Sequence, residues 1–238
     1  MQECLTATGF VKRVFFDFWW RYNAEIQLIP QFVPEGKLLD VGCGSGKQLR
    51  FLQSLGWTKL SGIELSPSAA KRAASLGFEV RCGPLEETLK TYAEASFDVV
   101  FSTMVLEHVL DPFDMIRQIK RVLKPGGQFL FSTIIRDAID CFVYGKYWRN
   151  LDLPRHVVLF KKNDLFQALS TDFDSVKMTH QRAAIDFVGS AGFRSRDKNY
   201  LIDRVVLAMG EHGMRYVSAL LGMLNLTSRV SVRCQKKI

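Results

Sequence analysis

The stretch Leu38–Gln48, LLDVGCGSGKQ, indicates how this chain folds and where it binds a ligand. Two leucines and the acid Asp40 come shortly before three glycines at positions 42, 44 and 46. A β-rich run that ends in a glycine turn is typical of the first strand and first helix of a parallel α/β sheet, whose ligand crevice lies beyond the carboxyl ends of its strands. Glycines at that place let the backbone approach a ligand closely.

Further β-rich runs follow, and the first five are each succeeded by a helical pattern. The predicted strands are KLLDV (37–41), KLSGI (59–63), FEVRC (78–82), FDVVFS (97–102), GQFLFS (127–132), FDSVKMT (173–179) and RVSVRCQ (229–235). Ser66 and Asp111 each precede a proline and predict helix starts, LKPGG at 123–127 predicts a helix end, and a further helix is expected from about Asn163. This alternation predicts a parallel sheet built with right-handed crossovers.

Length and composition favour one globular domain with embellishments. The chain has 238 residues, of which 47% are hydrophobic and 24% charged, as in soluble proteins. The N-terminus has no secretory pattern, and the apolar stretch 201–226 carries five charged or histidine residues, too many for a bilayer span. A peripheral membrane contact stays open. The five cysteines form no CxxC pair, which favours reduced thiols over a disulfide frame or zinc site and predicts a cytoplasmic protein.

The net charge of +8 is concentrated late in the chain, where residues 181–238 hold ten Lys/Arg against four Asp/Glu. A basic balance suits nucleic acid, anionic lipid or a phosphorylated substrate. No compact run of like charge is present, so a basic soluble surface is the favoured interpretation.

The glycine turn could bind one of three kinds of ligand: the phosphates held by a P-loop, a dinucleotide, or a ligand without phosphate. A P-loop is excluded, because Val41 stands where its first glycine belongs and Gln48 follows Lys47. A dinucleotide fold prefers GxGxxG, whereas the spacing here is GxGxG, so a nicotinamide cofactor is the second choice. Asp40 would repel a pyrophosphate but suits a ligand with an ammonium group and no phosphate. S-adenosylmethionine is such a ligand.

The stretch resembles the first motif of the class I S-adenosylmethionine-dependent methyltransferases. Three further segments agree with that family in order and spacing, so that the resemblance covers about 36–133. They are LSGIELSP, which contains Glu64, FDVVFSTMVLEHVLDPF and LKPGGQFLFS. The resemblance implies a Rossmann-like, mostly parallel seven-stranded sheet with helices on both faces and an antiparallel last strand. It also implies that Glu64 accepts hydrogen bonds from the ribose hydroxyls. Pro84 departs from the family, because many relatives have an adenine-binding acid there. The implied cofactor-binding residues are Asp40, Gly42, Cys43, Gly44, Gly46, Glu64, Leu65, Leu85, Glu86, Ser102 and Met104.

The reaction implied by the resemblance is transfer of an activated methyl group, which needs no metal. A hydroxyl acceptor would be helped by a base, and we predict His156 in NLDLPRHVVLF for this role, with His108 as a second candidate. The LPRH…F pattern is similar to small-molecule methyltransferases of quinone, polysaccharide and secondary-metabolite pathways. The alternative is that Arg155 and His156 only brace a lid. The residues expected to line the acceptor pocket instead are Tyr147, Trp148 and Asp152.

The predicted organisation is an N-terminal aromatic helical segment (1–35), a methyltransferase core (36–184 with 226–238) and a helical lid insertion (185–225). Phe15, Phe16, Phe18, Trp19 and Trp20 either fill the core or cover the cofactor cleft. The apolar insertion favours a hydrophobic, lipid-linked or sugar-linked small-molecule acceptor, and the protein is expected to be a monomer or homodimer.

Three alternatives stay open. An RNA methyltransferase is disfavoured, because the chain has neither an Asn/Asp-Pro-Pro-aromatic element after the fourth strand nor a Pro-Cys nucleophile. The other two are a nicotinamide-dependent oxidoreductase and a module that binds the cofactor without turnover.

Overall fold

Seven strands form one mixed sheet in the computed structural model of the protein, which describes residues 28–238. The strands are β1 Lys37–Val41, β2 Lys59–Glu64, β3 Glu79–Cys82, β4 Phe97–Thr103, β5 Leu123–Ile134, β6 Phe173–His180 and β7 Arg229–Lys236. Their order is β3-β2-β1-β4-β5-β7-β6, with β1 to β5 parallel and β7 antiparallel to both of its neighbours. The predicted seven-stranded sheet with an antiparallel last strand is confirmed.

Eight helices connect these strands in the described residues. They are α1 Lys47–Ser54, α2 Pro67–Ser75, α3 Leu85–Lys90, α4 Pro112–Val122, α5 Ile139–Tyr144, α6 Lys162–Asp172, α7 Ala184–Arg194 and α8 Leu201–Met223, which is interrupted at Gly210. Single turns of 3-10 helix cover Leu106–His108, Gly145–Tyr147 and Arg149–Leu151. The N-terminal aromatic residues 15, 16, 18, 19 and 20 lie outside the described part of the chain, as does most of the segment predicted over 1–35.

The predicted helix starts are confirmed by their caps. The Ser66 hydroxyl accepts a hydrogen bond from the Ala69 backbone N–H, and the Asp111 carboxylate accepts one from Asp114, so each satisfies an otherwise unpaired donor of the first helical turn. The stretch LKPGG follows the end of α4 at Val122, as predicted, but it also belongs to β5, which begins at Leu123 and not at the predicted position 127. Leu123 pairs with Phe97 of β4, and this pairing draws the segment into the sheet.

Two apolar clusters cover the two faces of the sheet. Successive residues of a strand point to opposite faces, so Leu38 belongs to one cluster together with Trp57 and Leu130, whereas Leu39 belongs to the other together with Phe129. All of these side chains are buried. Helices therefore pack on both faces, as predicted.

A third apolar cluster lies among the helices that follow β5 and β6. It contains Trp148, Phe187 of α7 and Val206 of α8. A buried ion pair also joins α7 to α8, because the Arg194 guanidinium donates to both oxygens of Asp203 at 2.6 and 2.8 Å. Within 28–238, none of the helices has the length and apolar character that crossing a bilayer requires.

Candidate active site

The loop between β1 and α1 contains three glycines with positive φ, and the structure gives them different neighbours. A Cβ atom on Gly42 would overlap Val105 Cγ2, and one on Gly46 would lie 3.0 Å from the Cβ of Ala73 in α2. At Gly44, where φ is +55°, no heavy atom of residues 28–238 lies within 4 Å of the Cβ position. Packing therefore explains two of the glycines, and only Gly44 faces open space that a ligand can enter.

Glu64 lies at the end of β2 and links this loop to the next one. Its Oε2 accepts a hydrogen bond from the Gly44 N–H at 2.8 Å, and its Oε1 accepts one from the Ser66 N–H at 2.8 Å. Each carboxylate oxygen has a second lone pair, so the group can still accept hydrogen bonds from hydroxyls of a ligand.

Asp40 of β1 is a buried acid that forms no ion pair with any residue of 28–238. Only 2% of its surface is exposed, and no hydrogen bond reaches its carboxylate from the described residues. Burial, and then repulsion by Glu64, raises the pKa of Asp40 to about 7. A cationic ligand group would favour the ionised form, because it would supply the opposite charge that the fold omits.

The other predicted cofactor residues fall into two groups. Cys43 and Ser102 are buried: burial raises the pKa of the Cys43 thiol to about 12, and the Ser102 hydroxyl donates to the Val41 carbonyl at 3.1 Å. Their side chains therefore serve the sheet and the core. Those that remain at least partly accessible are Leu65, Leu85, Glu86 and Met104.

His108 and His156 meet at a cavity beyond the carboxyl ends of β4 and β5, with their ring centroids 4.8 Å apart. His156 is 7% exposed, and its Nδ1 lies 2.7 Å from the Asn150 carbonyl oxygen, whereas His108 is exposed, with Nδ1 2.8 Å from the Arg155 carbonyl oxygen. A carbonyl can only accept, so Nδ1 carries the proton in each ring. Nε2 is therefore the nitrogen through which either ring could accept or release a proton.

Glu107 completes this cluster, and the sequence analysis missed it. The residue is fully buried, its Oε2 accepts a hydrogen bond from Thr133 at 2.8 Å, and its Oε1 has no partner among the described residues. Burial raises the pKa of Glu107, while its hydrogen bonds and the two histidines oppose this shift.

The backbone explains why these three residues meet. The Glu107 carbonyl accepts hydrogen bonds from the N–H groups of Val157 and Val158, which ties the loop after β4 to the segment that carries His156. The potential ligand atoms of Glu107, His108 and His156 lie within 4.8 Å of one another. These three side chains could transfer a proton between them. They could also bind a divalent cation, and they are the candidate metal cluster among the described residues. The only signal in the sequence was that Glu107 directly precedes His108.

The walls of the cavity come from several elements. Tyr147 is absent from the lining, and its hydroxyl donates to Asp197 instead. The lining residues are Met104, His108, Lys146, Trp148, Arg149, Asn150, Leu151, Asp152, Leu153, Arg155, His156, Phe193 and Arg229.

Residues 39–131 match the family model described as a methyltransferase domain. This match agrees with the resemblance of the region to the class I S-adenosylmethionine-dependent methyltransferases. The matched region includes the glycine loop, Glu64 and the Glu107-His108 pair, whereas His156 and helices α7 and α8 lie outside it.

Known proteins resemble this chain at two levels. A ubiquinone biosynthesis O-methyltransferase from Pseudomonas syringae pv. tomato is 39% identical over 134 residues, which cover 53% of this chain and 57% of the relative. The chain thus spans little more than half the length of this curated relative. A possible histamine N-methyltransferase from Thermotoga maritima has the same fold at 18% identity, with a TM-score of 0.59 over 97% of this chain and 96% of the other. The cyclase SpnF also shares the fold, at 18% identity and a TM-score of 0.57 over 85% and 76% of the two chains.

Proposed function

We propose that this protein transfers a methyl group from S-adenosylmethionine to a hydroxyl of a small-molecule acceptor. The observation that carries the proposal is the open position at Gly44, bordered by Glu64 and the unpartnered Asp40, at the same sheet edge as the cavity with two histidines. The family match and the O-methyltransferase relatives support it.

The residues of this crevice fit the cofactor. The loop at Gly44 leaves room for a ligand, Glu64 retains lone pairs for hydroxyls, and the charge of Asp40 suits an ammonium group. We assign Leu65, Leu85, Glu86 and Met104 to the remaining contacts. S-adenosylmethionine would supply a methyl group already activated on a sulfonium sulfur, so the chain has to orient the acceptor and exclude water.

His156 is our candidate for the general base. Its Nδ1 is held by the Asn150 carbonyl, so its Nε2 can take the proton of the acceptor hydroxyl as the oxygen forms its bond to the methyl carbon. His156 would later release the acquired proton to water, and the electron pair of the methyl–sulfur bond would leave with the sulfur. Glu107 would act as a positioning residue, because an ionised carboxylate beside the imidazolium stabilises its charge.

The helices between β6 and β7 are our candidate for a lid over the acceptor. Phe193 of α7 lines the cavity, and Leu201, Ile202 and Leu220 of α8 are more than half exposed, which suits a partly apolar acceptor. We therefore retain the division into a core (36–184 with 226–238) and a lid (185–225) as part of the proposal.

The test separates cofactor binding from turnover. The purified chain is titrated with S-adenosylmethionine and with NADH in a calorimeter, and adenosylhomocysteine formation is then followed with catechol and 3,4-dihydroxybenzoate as acceptors. Binding of the sulfonium compound alone, with turnover, is expected. Binding without turnover of either acceptor would instead favour the non-catalytic module, and binding of NADH alone would contradict the proposal.

The role of His156 has its own control. His156→Ala should lower the rate about 100-fold or more while leaving cofactor affinity unchanged, because general bases typically contribute that much. His212→Ala, at an exposed position on α8, should leave both unchanged. A chelator that abolishes the wild-type rate, with recovery on adding Mg²⁺, would assign His156 to metal binding instead.

A further inference from the structure

Positive charge dominates the wall of the acceptor cavity. Four of its lining side chains are cationic, Lys146, Arg149, Arg155 and Arg229, whereas Asp152 is the single acid that residues 28–238 contribute to the lining. Asp152 is already engaged, because its Oδ2 lies 3.3 Å from Arg155 Nη1. The other three cations therefore have to be balanced from outside the lining.

Asp186 of α7 neutralises part of this positive charge. It is fully buried and receives two hydrogen bonds from Arg229, at 2.6 and 3.0 Å, whereas Arg149 Nε lies 3.9 Å from its Oδ1. One carboxylate thus faces two guanidinium groups. Lys146 Nζ lies 4.8 Å from the centroid of the Tyr147 ring, and within 28–238 no carboxylate forms an ion pair with it. Arg149 and Lys146 therefore make no hydrogen bond to a carboxylate among residues 28–238.

Arg149 is held in place by its surroundings. Its backbone N–H donates to the Ser190 hydroxyl at 2.9 Å, and its side chain lies across Gly189 of α7. A Cβ on Gly189 would lie only 2.7 Å from Arg149 Cδ, so the glycine makes room for this side chain. The Arg149 side chain nevertheless stays 41% exposed. A positioned guanidinium with free donors is suited to a planar or tetrahedral oxyanion.

We propose that the methyl acceptor carries an anionic group, a carboxylate or phosphate, that binds Arg149 and Lys146 while its hydroxyl faces His156. This inference rests on the proposed function and adds the charge class of the substrate. The anion would receive charge-assisted hydrogen bonds from Arg149 and Lys146, which a neutral acceptor of the same shape would lack.

The experiment measures acceptor binding without turnover. Catechol, 3,4-dihydroxybenzoate and phenyl phosphate are titrated into the full chain by calorimetry, with and without adenosylhomocysteine. At least one anionic probe should bind about tenfold or more tightly than catechol, and the tighter of the two anions identifies the group. Equal affinity for catechol and both anions, or no binding of either anion, overturns the inference.

Two variants test Arg149. Arg149→Ala should weaken binding of the preferred anion about 10- to 100-fold and leave catechol unchanged. Gly189→Ala retains the charge but displaces the Arg149 side chain, so it should weaken the same probe. Arg117→Ala removes an exposed arginine of α4 that pairs with Asp114 and is the matched control. Full anion affinity in Arg149→Ala refutes the inference. Failure of adenosylhomocysteine to bind would contradict the proposed function, while the titrations without it still test the anion site.

Discussion

We expect the affinity for S-adenosylmethionine to rise with pH between about pH 5 and pH 7, because of Asp40. Burial and the charge of Glu64 raise the pKa of this carboxyl to about 7, so it is largely protonated at pH 5. An ammonium ligand prefers the ionised form and must displace that proton. The apparent Kd is the Kd of the ionised form multiplied by the factor 1 + 10^(pKa − pH). This factor is about 100 at pH 5 and about 2 at pH 7. The expected gain in affinity is about 50-fold.

The assay is calorimetric titration at three pH values in two buffers of different ionisation enthalpy, which also counts the protons released. The range lies below the usual pKa of an α-amino group, so the ligand stays cationic. Asp40→Asn should bind weakly and nearly independently of pH. Asp98→Asn is the matched control, because Asp98 already pairs with Lys124 and its pKa is lowered. Equal wild-type affinities at pH 5 and pH 7, or an unchanged pH dependence in Asp40→Asn, would refute the reasoning.

The raised pKa of Asp40 also predicts that the protein without cofactor becomes less stable as the pH rises, whereas its affinity for the cofactor increases. Its folded pKa of about 7 lies above the ordinary value of 3.8 for an aspartate, so the folded state binds the proton more tightly and loses stability as pH rises from about 4 to 7. The shift corresponds to about 4 kcal/mol at 1.36 kcal/mol per pH unit. Asp40→Asn should therefore raise the free energy of unfolding above pH 7 by up to that amount while it weakens cofactor binding. Chemical denaturation at pH 5 and pH 8 tests this, and an unchanged or lowered stability at pH 8 would count against the buried charge.

Two further predictions concern the loop glycines and the lid helices. Gly42→Ala should lower the free energy of unfolding by about 1–3 kcal/mol, because its Cβ would overlap Val105, whereas Gly44→Ala should chiefly weaken cofactor binding; the opposite pattern in denaturation and titration would contradict this assignment. Arg194→Ala should cost about 3–5 kcal/mol, because it leaves Asp203 buried without its partner, and a midpoint of thermal unfolding within a degree or so of wild type would show that this pair is not stabilising.

Much of the fold follows from short-range patterns. The β-rich runs, the capping residues Ser66 and Asp111 and the glycine turn each act within a few residues of chain, so they were visible in the sequence. The boundary of β5 was not, because Leu123 joins the sheet by pairing with Phe97 of another strand. Pairing of this kind depends on which strand becomes the neighbour, and local propensity does not contain that information.

The candidate site likewise contains residues that could be predicted from the sequence and residues whose contacts could not. Asp40, Gly44 and Glu64 could be predicted as site residues because the crevice of a parallel sheet lies at the strand ends, which the chain order reveals. Ser102 was expected in the cofactor site, but its hydroxyl donates to the Val41 carbonyl, and strand pairing sets that contact. Glu107 was missed because its position relative to His156 depends on hydrogen bonds between two distant loops.

The sequence by itself determined the order of strands and helices, the glycine turn and the acids at the strand ends, because hydrophobic period, caps and turn residues are local properties. Only the tertiary structure decided which charges are neutralised. Asp40 has no ion-pair partner in the described part of the chain, Asp186 faces both Arg149 and Arg229, and Arg149 lies across Gly189, because helices and loops far apart in the chain pack together. Burial and the distance between charges control their energies, and both arise only once the chain is folded.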